Sequence, residues 1–73
     1  MNSDDKPETI DLDRYLKWFG HVQTGGEAKL RIQSGDVQVN GEQELRRRRK
    51  LRHGDEIMID GETSIVNRDD FEG

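Results

Sequence analysis

From Val37 to Gly61 the sequence is punctuated by dipeptides that reverse a chain, with apolar residues spaced by two beside them. Val37-Gln38-Val39 runs into Asn40-Gly41. Gly54-Asp55 leads into Glu56-Ile57-Met58-Ile59, which meets Asp60-Gly61, and Ile65-Val66 follows. Alternation at period two marks a half-buried strand. Asn-Gly is a strong hairpin signal because a type I′ turn needs positive φ at both central positions, and Asp-Gly is read in the same way. The second half of the chain is therefore expected to form short antiparallel strands.

The first half follows a different period. Leu12, Tyr15, Leu16 and Phe19 stand at i, i+3, i+4 and i+7, which predicts an amphipathic helix over 9–19 with Gly20 as its stop. Asp11 and Asp13 fall in its first turn, where anions favour the positive end of the helix dipole. Trp18 lies off the stripe, at an edge from which it either caps the core or stacks on a base. Thr24-Gly25-Gly26-Glu27 has the form of a capping box, so a second helix is predicted from Gly25 to about Ser34. Ala28 and Ile32 face inward there, and Gly35 supplies the left-handed residue after its end. Lys29 and Arg31 point to solvent; Leu30 fits neither side.

At 73 residues with 29% apolar and 38% charged positions, the chain supports one small domain, and such domains bury only about 60% of their unfolded surface. The expected division is a disordered segment over 1–8, a folded domain over 9–66 and a loose acidic tail over 67–73, with Phe71 able to tuck back. There is no cysteine, which excludes a disulfide scaffold and thiol chemistry and fits the cytoplasm. No run approaches the roughly 20 apolar residues of a membrane span.

The net charge of −4 conceals its distribution: −2 over residues 1–25, +4 over 26–54 and −6 over 55–73. The positive middle is concentrated in Arg46, Arg47, Arg48, Arg49, Lys50 and Arg52, six cations in seven positions. Charges act over about 10 Å, so a local basic run can attract a polyanion although the whole chain is acidic. If the run is the extended return strand after Asn40-Gly41, Leu45, Arg47, Arg49 and Leu51 share one face. Arg46, Arg48, Lys50 and Arg52 then form a wholly cationic one, whose self-repulsion a bound phosphate backbone relieves. The plainer reading is a solvated strand, or a sheet edge protected by cations.

Two helices, then S-G-D-V-Q-V-N-G, then L-R-H-G-D-E-I resemble the S-four RNA-binding domain. Ile32, Gly35, Val37, Val39, Asn40 and Gly41 match its first motif, and Leu51, Gly54, Asp55 and Ile57 its second. The resemblance spans about 12–66 and is similar to the free-standing bacterial YbcJ-type proteins. It implies an α+β fold, two N-terminal helices on a small, mostly antiparallel sheet of three to four short strands. It also implies binding of structured RNA, ribosomal RNA above all, and a part in ribosome assembly or translation. By position it implicates Lys29 and Arg31 on the second helix, then Arg46, Arg47, Arg48, Arg49, Lys50 and Arg52. Thr24-Gly25 stands where many members carry Ser-Arg, and Arg31 occupies a place that is often apolar.

No phosphate-cradling G-x-x-x-x-G-K-[ST], H-E-x-x-H or nucleophile elbow occurs. The expectation is therefore a monomeric binding protein with RNA as partner, without catalysis, cofactor, metal, small-molecule substrate or membrane. A protein-interaction module whose basic strand docks an acidic partner is the rival. Gly25 and Gly26 either expose amides to a phosphate or serve as a permissive link. His53 is assigned to its turn, and His21 has no identified partner.

Overall fold

The computed structural model describes residues 7–71; of the segment 1–8 expected to be disordered, residues 1–6 fall outside them. The chain runs through β1 (Ile10–Asp11), α1 (Leu12–Trp18), α2 (Gly25–Gln33), β2 (Val37–Val39), β3 (Glu42–Gln43), β4 (Lys50–Leu51), β5 (Glu56–Ile59) and β6 (Glu62–Ile65). A single 3-10 turn, Arg68–Asp70, ends the described chain. The strands form two antiparallel sheets, one of order β3-β2-β5-β6 and a ribbon pairing β1 with β4. This is the expected α+β arrangement with one addition, the two-stranded ribbon.

The alternation read from the sequence decides which face of the main sheet is covered. Val37 pairs with Ile59 and Val39 with Ile57, and all four are buried against the helices. Gln38 and Met58, also partners, point to the other face. Leu12, Tyr15 and Leu16 from α1 and Ala28 and Ile32 from α2 complete the core with Leu51, Val66 and Phe71. The Tyr15 hydroxyl, 2.8 Å from Ser64 Oγ, ties α1 to β6.

Both Asx-Gly turns take the expected conformation: φ is 54° and 83° at Asn40-Gly41, and 55° and 78° at Asp60-Gly61. Asn40 also fastens the first turn to the second motif. Its amide donates to the Glu56 carbonyl at 2.7 Å, its Oδ1 accepts from the Glu56 amide at 2.9 Å, and its Nδ2 donates to Asp55. Asp55 in turn accepts the Arg52 amide at 2.8 Å. Gly35 is required by its backbone, since φ is +85°; an added Cβ would also meet the Gln43 side-chain amide, whose exposed end can move aside.

Helix α2 begins as expected, with the Glu27 amide donating to Thr24 Oγ1 at 3.0 Å. The reciprocal bond shifts by one residue: Glu27 Oε1 accepts from Gln23, not from Thr24. Helix α1 departs further. It starts at Leu12, and Ile10–Asp11 is strand β1, in register with Leu51 and Lys50. Asp11, at the N-cap, makes no side-chain cap. Instead the Leu12 and Asp13 amides donate to the Arg49 and Arg47 carbonyls, each at 2.9 Å. The basic segment thus satisfies donors that a helix start leaves without partners.

At the acidic end, Phe71 is buried in the core. The His53 side chain accepts the Arg68 amide through Nδ1 at 3.1 Å, so it anchors the chain beyond β6. No described helix is long and apolar enough to cross a membrane.

Candidate nucleic-acid interface

The six-cation run is not one extended strand. After Asn40-Gly41 the return strand β3 makes only two pairs, Gln43 with Gln38 and Glu42 with Val39. The Glu44 amide makes a last bond to the Val37 carbonyl at 3.0 Å; residues 45–49 then leave the sheet, and Lys50–Leu51 joins β1. The expected common face of Leu45, Arg47, Arg49 and Leu51 is broken, because Leu45 is exposed whereas Leu51 is fully buried.

Glu44 causes the departure. The residue is 7% exposed, and a carboxylate survives burial only with strong partners. Oε2 accepts the Arg46 amide and Arg46 Nε, both at 3.0 Å; Oε1 accepts Arg46 Nη2 at 3.2 Å and Arg49 Nη1 at 2.8 Å. The Arg46 side-chain bonds contribute most to lowering the Glu44 pKa, to about 2. Burial opposes them, and the Arg46 amide and Arg49 reinforce them. The Arg49 amide closes a turn on the Arg46 carbonyl at 3.2 Å. One buried acid therefore bends the chain and holds two arginines beside each other.

Two further acids attach the run to α1. Arg47 Nε donates to Asp13 Oδ2 at 3.0 Å, and Lys50 Nζ donates to Asp11 Oδ1. Asp11 and Asp13, read as helix-dipole anions, are also the docking points of the basic segment.

Arg46, Arg48, Arg49, Lys50 and Arg52 line one concave surface. All four members of the expected cationic face are among them, although the strand geometry that predicted the grouping is absent. Among the described residues the Arg48 and Arg52 side chains have no hydrogen-bonding or ionic partner; Arg46, Arg49 and Lys50 each hold an acid. Arg47 is not in the lining and is directed to Asp13. Arg31 is also engaged elsewhere: Nε donates to Asp36 at 2.8 Å and Nη2 to Asp60, which joins α2 to the β5–β6 turn. Those two carboxylates, Asp60 foremost, raise its pKa. Lys29 is exposed and outside the concave lining.

The geometry explains the two sequence motifs together. Asn40 of V-Q-V-N-G and Asp55 of G-D-E-I are bonded to each other, and the chain between them is the basic excursion. Residues 4–67 match the S4 domain family. The chain belongs to that family. The S4 assignment is reinforced by a relative from Bacillus subtilis (strain 168), named probable ribosome maturation protein RlbA, which is 43% identical over 54 residues. That alignment covers 74% of this chain and 76% of the relative. No solved structure matches this S4 chain.

The sequence reading gave no role to Glu44, the organiser of the S4 surface here. Its only local signal is an acid placed two residues before a run of cations. Its burial depends on long-range packing, which period-two alternation does not reveal. His21, whose ring stacks on Tyr15 with centroids 6.3 Å apart, likewise has a partner that its neighbours in sequence do not disclose.

Proposed function

We propose that this protein binds structured RNA, ribosomal RNA in particular, and serves ribosome maturation or translation-linked RNA handling in the cytoplasm. The observation that carries the reading is the concave grouping of Arg46, Arg48, Arg49, Lys50 and Arg52, two of whose cations have no acidic partner among the described residues. Arginine suits the task because its planar fork grips phosphate oxygens in pairs. Family membership and the ribosome-maturation name of the relative support the same direction. The protein acts as a monomeric binder, without catalytic step, cofactor or small-molecule substrate. Phosphate contacts position a protein without reading sequence, so recognition rests on RNA shape. Lys29 is a flanking contact. Arg47 and Arg31 meet RNA only with the nitrogens that their acids leave free.

The test is binding to ribosomal RNA fragments across a salt series. Five engaged phosphates give a slope of log affinity against log salt of about −4. Arg48→Glu/Arg52→Glu changes the two cations that have no partner among the described residues, so folding is retained and the slope falls in magnitude by about 2, one unit per lost contact. Salt-independent binding, or no binding at low salt by the folded protein, overturns the reading and directs the search to an acidic protein partner.

A further inference from the structure

Lys50 lines a second depression beside the cationic one. This groove has a volume of about 230 Å³ and is also lined by Thr9, Asp11, Arg14, Trp18 and Phe71. Drug-sized sites occupy about 300–1,000 Å³, so its scale suits one planar ring. Trp18 is half-buried against the core. The Arg14 guanidinium lies 5.3 Å from its ring centroid, within the roughly 6 Å of a cation–π contact. The indole is therefore held from two directions before any ligand arrives. Asp11 and Thr9 supply acceptors at the groove, and a carboxylate accepts well from an exocyclic amino group.

The geometry points to a nucleobase site. An unpaired base of the RNA whose phosphates lie on the cationic surface enters this groove, takes the place of the Arg14 guanidinium on the Trp18 ring and presents an amino-bearing edge to the Asp11 oxygen that Lys50 leaves open. Lys50, shared by both depressions, holds the phosphate between them. The inference rests on the RNA-binding reading and deepens it: the partner is a helix with an unpaired, amino-bearing base close to its end, not a continuous duplex. Charge alone does not require this, because a cationic surface accepts any polyanion, whereas stacking requires an exposed base.

Trp18 is the single tryptophan, so its emission reports on the groove directly. The experiment titrates the full chain with an RNA hairpin carrying six adenosines in its loop, and with the same hairpin carrying an abasic loop. The adenosine loop is expected to quench Trp18 by about half or more and to bind about tenfold more tightly than the abasic loop. Trp18→Ala is expected to remove that tenfold difference while leaving abasic-hairpin binding unchanged; a merely structural role would weaken both hairpins alike. Wild-type quenching decides the matter if the variant fails to fold. Equal affinity for both hairpins without quenching overturns the base site and leaves the RNA reading standing. Equal quenching by both hairpins overturns it as well, since the phosphates alone then act on the indole. Failure of both hairpins to bind at low salt overturns both.

Discussion

Two hairpins in this protein begin with the same turn and end differently. Asn40-Gly41 and Asp60-Gly61 have φ values within a few degrees of each other, yet β6 pairs with β5 over four residues and β3 pairs with β2 over two. Beyond Asp60-Gly61 the chain reads Glu62-Thr63-Ser64-Ile65. Beyond Asn40-Gly41 it reads Glu42-Gln43-Glu44, and at Glu44 a buried carboxylate takes the Arg46 amide and turns the chain out of the sheet. The turn sets where a hairpin starts and its register; the side chains of the return strand decide how long it lasts. The shorter hairpin frees the residues that form the basic surface.

The comparison is broken most directly at Glu44. Glu44→Ala removes the acceptor of four hydrogen bonds and is expected to destabilise the fold by about 2 kcal/mol. Chemical denaturation measures this, and a loss below about 0.5 kcal/mol would mean that Glu44 is not the organiser. The same residue predicts an acid dependence. Its pKa is lowered in the fold from 4.5 to about 2, so its stabilisation is complete above about pH 4.5 and disappears as pH falls toward 2. Stability curves across that window should be flatter for Glu44→Gln than for the parent. Parallel curves would place the acid sensitivity elsewhere.

Gly41→Ala and Gly61→Ala sharpen the turn side of the comparison. Both glycines have φ near +80° with nothing within 4 Å of an added Cβ, so each substitution carries only backbone strain, about 1 kcal/mol. Thermal melts should show similar losses. A clearly larger loss at Gly61 would show that hairpin length feeds back on the turn. The smallest effect is expected at Arg31→Gln. Its ion pairs with Asp36 and Asp60 are largely solvent-accessible, which limits the loss to about 0.5 kcal/mol. If RNA affinity falls substantially in that variant while stability holds, Arg31 is a contact residue and its bridge to the β5–β6 turn is secondary.

Much of the architecture was legible because its signals are local. The buried line of Ala28 and Ile32, the Thr24 cap and the strand faces of Val37, Val39, Ile57 and Ile59 follow from spacing that the backbone itself imposes. The grouping of Arg46, Arg48, Lys50 and Arg52 was also legible, although by an incorrect route: they share a surface without sharing a strand. Arg31 lies off the buried line as read, but its acids were not legible, because they come from a neighbouring loop and from a turn 29 residues away. The start of α1 was misread for a similar reason. Ile10 and Asp11 suit the first turn of a helix by sequence, but β4 offers them a ladder partner.

By itself the sequence determined which residues turn, which alternate and which are charged, since φ preference, side-chain period and formal charge belong to the residues. Only the tertiary structure decided the shape of the basic segment. Residues 44–52 have no strong local conformation, and their form comes from a buried Glu44, from Asp11 and Asp13 across the chain, and from carbonyls that accept the amides at the start of α1. The contacts with Asp11, Asp13 and α1 exist only once the core has brought the two halves together, because a carboxylate and a cation far apart in sequence gain nothing until packing removes the water between them.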